Sequence, residues 1–154
     1  MFKHLTLELG EIYNETFEKK YESVMKEGKV KKSAVDALNK YCLKSIEYFE
    51  KLIESVVSST NKELLENTDT LRTIITAKFN VAKNYSRYQT NDTKEKVSFL
   101  AKSLESYKWI LKFMNDKLLP KGALPSDLAE TMKSCQEMCQ LLPSKIDRVN
   151  QGIM

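Results

Sequence analysis

The sequence is poor in the residues that build turns, disulfides and metal sites. Its 154 residues include four Gly, three Pro, three Cys and one His. So few Gly and Pro residues argue against a turn-rich β-sandwich or barrel and against a glycine-rich nucleotide loop. An odd number of Cys argues against a disulfide framework, and a single His leaves little material for a metal centre or a catalytic triad.

Long apolar runs are also missing. No stretch approaches the roughly 20 apolar residues that a membrane helix needs, and the first ten residues mix Lys, His, Thr and Glu where a signal peptide would have an apolar core. We therefore expect a cytosolic or nuclear protein without membrane insertion. With 42% hydrophobic and 30% charged residues, the composition is that of a folded domain, and the length suits one domain or part of a longer repeat protein.

The net charge of +4 is mild and spread along the chain, so it gives little support to nucleic-acid binding. The densest basic stretch contains Lys26, Lys29, Lys31 and Lys32. It could form a patch for tubulin tails, nucleic acid or acidic lipids. We favour a solvated loop between helices, because no aromatic residue interrupts the stretch and Glu27 dilutes its charge.

Apolar residues recur every three or four positions along most of the chain, which is the period of amphipathic helices. The clearest stripe runs from Val35 to Val56, and no segment shows the alternation typical of strands. The sequence predicts an all-α fold of antiparallel helical hairpins, because short loops join the helices. The predicted helices, about five to six in all, lie near residues 3–27, 31–58, 69–90, 93–119, 126–142 and, as a short last helix, 144–151.

Two pairs of these helices carry related motifs. The segments from Leu9 to Tyr13 and from Val81 to Tyr85 match one half of a tetratricopeptide pattern, with Gly10 and Ala82 at its small position. The second and fourth helices match the other half, in which a small residue precedes an aromatic one by four positions: Ser45 and Phe49, then Ser103 and Tyr107. The matches favour degenerate tetratricopeptide-like repeats in an α-solenoid. The helices are too long for the standard repeat of about 34 residues, so a generic helical bundle stays an alternative.

No catalytic constellation is visible. The sequence has no phosphate-binding glycine loop, no zinc-protease motif and no C-x-x-C pair. The lone His4 falls in a first turn that we expect to be exposed and inert. Cys42, Cys135 and Cys139 are predicted to be small buried hydrophobic residues on helix faces. We expect neither enzymatic activity nor a cofactor or metal.

Three blocks resemble a known family in sequence, order and spacing. They are AKFNVAKNY at residues 77–85, LAKSLESYK at 100–108 and EMCQLLPSKI at 137–146. The chain resembles the C-terminal region of the KIF-binding protein (kinesin-family-binding protein) family over most of its length. This resemblance implies a fragment of a longer, cytosolic helical-repeat protein that binds kinesin motor domains and keeps them off microtubules, in axonal and organelle transport and neuronal differentiation. It also implies contacts with the N-terminal repeats of the full-length chain.

The resemblance carries no short contact motif, so candidate partner-binding residues come from the chain's own pattern. Lys83, Arg87, Tyr88 and Trp109 are the candidates. Core packing is favoured for the neighbouring Tyr85, which occupies the repeat's core position. Trp109 could be an exposed interface anchor or could seal a neighbouring hairpin, which we prefer.

The charge gives a hypothesis about mechanism. A kinesin motor presents basic residues to acidic microtubules, so a direct mimic of the microtubule would be acidic. Because this chain is positively charged, we expect it to cap the solenoid and to add part of a binding surface. The competing interpretation is a generic scaffold that docks a partner helix between its hairpins.

Overall fold

Five long α-helices make up the described part of the fold. The computed structural model describes residues 2–27, 32–59, 66–122 and 124–152, with side chains from residue 6 onward except at residue 27. No strand occurs in these ranges, so the all-α prediction is confirmed. The helices are α1 (Phe2–Glu27), α2 (Lys32–Val57), α3 (Thr68–Arg87), α4 (Thr93–Lys117) and α5 (Ser126–Asn150), and a 3₁₀ turn at Leu119–Lys121 follows α4.

Each helix packs on the next one in the chain, from α1 to α5. Their directions alternate, because residues that rise in number along one helix meet residues that fall in number along its neighbour. On α1 and α2, Tyr13 stacks on Tyr48 at 5.6 Å while Lys20 lies 5.6 Å from the ring of Tyr41. The antiparallel helical hairpins follow the prediction, and the arrangement fits a tetratricopeptide-like array.

The core forms where the apolar stripes of the helices meet. On α5 the buried positions recur every seven residues, at Leu128, Cys135, Leu142 and Val149, which keeps one narrow face against α4. The other helices bury wider faces. The largest fully buried side chains of the described residues are Tyr107, Phe17, Phe49, Leu38, Leu71, Ile74, Ile75, Leu100, Ile110, Met114, Leu128 and Leu142.

The predicted repeat motifs mark the closest helix contacts. Gly10 of α1 lies against Phe49 of α2, so near that a methyl group at Gly10 would come within 2.8 Å of the ring. In the second hairpin, the Ser103 hydroxyl of α4 donates to the Ala82 carbonyl of α3 at 2.6 Å. Small residues therefore allow close approach in both hairpins, as the motif requires.

The third helix was predicted to run to residue 90 but ends at Arg87, and Tyr88 is already extended. A side chain from α2 explains this early end. The Asn39 amide donates to the Gln89 carbonyl at 2.7 Å and accepts from the Gln89 N–H at 2.9 Å. Because both backbone groups of Gln89 are satisfied outside a helix, the chain gains nothing from another turn. Asp92 caps the start of α4, since its carboxylate accepts from the N–H groups of Lys94 and Glu95.

The separate short helix predicted at 144–151 is wrong. The segments expected at 126–142 and 144–151 form one helix, α5, with Pro143 inside it. Pro143 is exposed, whereas Leu142 and Val149 on either side of it are buried. Burial of the continuing apolar face against α4 outweighs the lost backbone hydrogen bond of the proline.

Two earlier expectations fall outside the described part of the chain. The side chain of His4 is one of them. The other is the basic loop, because Lys29 and Lys31 lie outside the described ranges. No helix in those ranges has both the length and the hydrophobicity needed to cross a bilayer.

Replacing Gly10 with Ala tests the close approach of α1 to α2. At an exposed helical site this change stabilises by about 1 kcal/mol. Here the new methyl would collide with the buried Phe49 ring, and overpacking of this kind costs about 1–3 kcal/mol. We expect a lower free energy of unfolding in urea. In the double variant, Phe49→Leu should relieve the collision, so the combined loss of stability should be smaller than the sum of the two single losses. A Gly10→Ala single variant that is more stable than the wild type would contradict the close contact.

Replacing Pro143 with Ala should stabilise the protein by about 1–3 kcal/mol, because Ala restores a helical hydrogen bond and removes the ring's clash. Pro125→Ala is the matched control. Pro125 precedes the first residue of α5, where a fixed backbone angle does no harm. That variant should leave the thermal midpoint unchanged or slightly lower. Equal shifts for both variants would argue against an uninterrupted α5.

Candidate partner-binding surface

A groove of about 430 Å³ runs between α2 and α4, with α3 residues at its base. We call it the central groove. It mixes two carboxylates, two lysines and two large aromatic rings. Its lining residues are Glu50, Lys78, Tyr85, Lys102, Glu105, Ser106 and Trp109.

Lys78 organises the electrostatics of the central groove. Its ammonium lies 2.7 Å from a Glu50 carboxylate oxygen and 5.3 Å from the centre of the Trp109 ring. Only 13% of the Lys78 side chain is exposed, so this ion pair is shielded from solvent more than a typical surface pair. Lys78 therefore contacts both Glu50 on α2 and Trp109 on α4 and links the two sides of the groove.

Trp109 connects the central groove to a second one. Its ring stacks on Phe113 at 4.8 Å and also lines a smaller groove of about 290 Å³ along α4, with Val57, Lys112 and Asp116. The side chain is half-buried. Trp109 therefore packs on Phe113 of its own helix and borders both grooves, and its role as an interface anchor stays a prediction.

The aromatic residues near the end of α3 pack on α4. Tyr88 stacks on Phe99 at 4.1 Å, and Tyr85 lies 5.9 Å from the same ring. The Lys102 ammonium lies 5.3 Å from the Phe99 ring centre and 5.8 Å from that of Tyr85. Burial, and then the nearby Glu50 charge, raise the pKa of Tyr85. Its hydroxyl therefore stays protonated at neutral pH.

The other two candidate residues, Lys83 and Arg87, lie on a different contact, between α3 and α1. Both approach the same Glu18 oxygen, at 3.9 Å from Lys83 and 3.5 Å from Arg87. The guanidinium of Arg87 also lies over the Phe17 ring at 4.9 Å. Burial, and then the Arg87 charge, lower the pKa of Lys83, which Glu18 partly opposes. The structure therefore does not bring these two residues together with Trp109.

Sequence reasoning missed the most connected polar residue, Asn84. It is fully buried, and its amide nitrogen donates to the Asn14 carbonyl oxygen and to the Ser45 hydroxyl, each at 2.8 Å. Its carbonyl oxygen accepts from Arg87, and its backbone carbonyl accepts from the Cys42 thiol at 3.2 Å. The only sequence signal was an amide among the apolar residues of the α3 stripe.

The thiol side chains of the described residues line neither the central groove nor the smaller groove along α4. No cluster of three or more metal-binding side chains occurs among the described residues. Cys42 and Cys135 are buried, as predicted, while Cys139 is partly buried. Burial raises the pKa of the Cys42 and Cys135 thiols to about 12, so both are neutral and unreactive at physiological pH.

Antiparallel helices, each packed on the next one in the chain, define an all-α domain of the helical-hairpin class. The particular family follows from the sequence. Residues 1–149 match the family "KIF-1 binding protein C terminal", and the chain belongs to this family. The resemblance seen in the three sequence blocks is thereby confirmed.

Relatives carry the same name. The KIF-binding protein of Danio rerio is 30% identical over 153 residues, covering 98% of this chain and 24% of that protein. The Mus musculus and Homo sapiens KIF-binding proteins are each 34% identical over 116 residues, covering 74% of this chain and 18% and 17% of those proteins. The chain thus spans about a quarter or less of these relatives. No solved structure matches it significantly.

Replacing Asn84 with Leu tests the buried polar network. The substitution strands Asn14, Ser45 and Arg87 without their shared partner, so we expect a loss of about 2–3 kcal/mol in the free energy of unfolding. Asn115→Leu, at an exposed position of α4, is the matched control and should change stability by less than about 0.5 kcal/mol. Similar urea midpoints for the two variants would show that the network adds little.

Proposed function

We propose that this chain is the C-terminal helical part of a kinesin regulator, where it contributes to binding a kinesin motor domain and to blocking microtubule engagement. The match to the KIF-1 binding protein C terminal family over residues 1–149 carries this proposal. The relatives' shared name states that they bind KIF proteins. A binding role also suits a surface made of grooves rather than of reactive groups.

The central groove is the part of the surface best suited to the motor. Trp109 and Tyr85 supply large, rigid aromatic area, and interface hot spots are enriched in Trp, Tyr and Arg. Lys102 and Glu105 place both signs of charge at the exposed edge, which favours a partner with a mixed-charge surface. Lys83 and Arg87 contribute indirectly, by holding α1 against α3 through Glu18.

The mechanism we propose is steric. An array of helical hairpins encloses part of the motor and occupies space that the microtubule would need. The chain's net charge of +4 argues against imitation of an acidic microtubule surface by this segment. We therefore assign it the roles of completing the helical array and adding one side of the binding surface. In this role the protein acts in the cytoplasm on microtubule-based transport, including axonal and organelle transport.

A second candidate function is a scaffold that docks a partner helix without motor specificity. The depth of the central groove between two helices supports this alternative, because helix-in-groove recognition needs only such a cleft. The two functions differ in selectivity. A motor regulator distinguishes among kinesin motor domains, whereas a general scaffold binds amphipathic helices of many sequences.

The test is a pull-down of the purified 154-residue chain against a panel of kinesin motor domains, with microtubule co-pelleting alongside. We expect selective binding of some motors and their release from microtubules. Trp109→Ala should weaken this binding about tenfold or more, in the range of interface hot spots. Lys102→Ala should weaken it less, and Lys133→Ala, on the exposed side of α5 and outside the central groove, should leave it unchanged.

Circular dichroism of each variant separates lost binding from lost structure. A well-folded wild-type chain that binds no motor would place the motor-binding surface in the rest of the full-length protein. Equal binding by Trp109→Ala and Lys133→Ala would remove the central groove from the proposal. Binding of unrelated amphipathic peptides with similar affinity would favour the scaffold.

A further inference from the structure

A second large groove lies at one end of the array, between the start of α4 and the last turns of α5. We call it the terminal groove. It measures about 510 Å³, and its lining is mostly apolar. Leu141 lies on its border and is 62% exposed, which is the largest exposed fraction among the large apolar residues that the structure describes. The lining residues are Lys96, Met138, Leu141, Leu142, Ser144, Lys145, Arg148 and Val149.

The charges around the terminal groove all have one sign. Lys96, Lys145 and Arg148 line it, and no carboxylate does. Within the described part of the chain, none of these three cations takes part in an ion pair. Burial, and then the charge of Lys145, lower the pKa of Lys96. The groove therefore holds positive charges that repel one another.

Neighbouring carboxylates do not relieve this excess. The Asp92 carboxylate accepts hydrogen bonds from the N–H groups of the first turn of α4. Asp147 is exposed and does not line the groove. The central groove differs in this respect, because Glu50 and Glu105 lie among its lysines. An anionic ligand would be attracted to the terminal groove, because it brings the negative charge that the protein itself does not place there.

The shape of the terminal groove suits a helix. Its α5 residues fall at spacings of three and four from Met138 to Val149, which spans three turns or about 16 Å. Side chains at these spacings form a ridge along the helix, and such a ridge packs into a groove between the ridges of another helix. Each of the three middle helices packs on two neighbours, whereas α5 has its main contact with α4 alone. An added helix beside Leu141 would continue the existing pattern of packing.

We propose that the terminal groove binds an acidic amphipathic helix from a partner protein. The apolar face of that helix covers Leu141 and Met138, and its carboxylates meet Lys96, Lys145 and Arg148. A membrane surface fits less well, because the apolar residues lie in a cleft between two helices rather than on a broad face. This site is separate from the central groove and does not depend on kinesin binding.

The probe is a fluorescein-labelled peptide of three heptads, with Leu at the two core positions and Glu at most others. Its binding to the 154-residue chain is followed by fluorescence anisotropy. We expect saturable binding that weakens as salt is raised, because exposed charges are screened. The same peptide with Lys in place of Glu should not bind.

Two pairs of variants locate the site. Lys145→Glu should weaken binding of the acidic peptide about tenfold, while Lys133→Glu, on the same helix but outside the groove, should not change it. Leu141→Asp should abolish binding, while Leu43→Asp, at a position on α2 that is 42% exposed, should have no effect. All four side chains are exposed, so these variants should fold, which circular dichroism verifies.

Several results would overturn the proposal. Equal affinities for the acidic and basic peptides, or equal losses for Lys145→Glu and Lys133→Glu, would show that the groove does not select a charged helix. Binding to phosphatidylserine vesicles without binding to the peptide would assign the surface to membranes. Concentration-dependent dimerisation that Leu141→Asp removes would assign it to a second copy of the chain.

Discussion

The buried amide of Asn84 is the contact on which the arrangement of the helices depends. From α3 it reaches Asn14 on α1 and Ser45 on α2, and it accepts from Arg87 one turn further along. Apolar contacts are non-directional, so an apolar core alone specifies the relative position of these helices less strictly than polar contacts do. A buried amide specifies that position more strictly, because a shift would leave several polar groups without partners in a medium of low polarity. The network therefore fixes the register of the first three helices.

That register positions the central groove. Lys78 and Tyr85 lie on the same helix as Asn84, so their heights relative to Glu50 on α2 are set once Asn84 has met Ser45. From α4, the Ser103 hydroxyl donates to the Ala82 carbonyl, which fixes the second hairpin in the same way. The relative positions of the residues that line the groove are thus set by polar contacts inside the array. Because these contacts hold the helices in place, the partly buried ion pair between Lys78 and Glu50 is kept at the base of an open groove.

The two grooves of the domain present different chemistry. The central groove contains both signs of charge and aromatic rings, whereas the terminal groove combines an apolar floor with cations alone. Lys83 and Arg87, two of the candidate partner-binding residues, share Glu18 at the contact between α1 and α3. The two proposals therefore place one partner at the centre of the array and a second at its end. Each surface can change without disturbing the other.

The sequence by itself determined the helices, their apolar faces, the Asp92 cap and the family, because periodicity and capping act over a few residues and the family match depends on residue identity alone. Tertiary structure decided the rest. The α5 helix continues through Pro143 because α4 buries both sides of the break, and α3 stops at Arg87 because Asn39 from α2 binds Gln89. The Asn84 network and both grooves join residues that are distant in the chain. Such pairings depend on how whole helices pack, which local patterns do not specify.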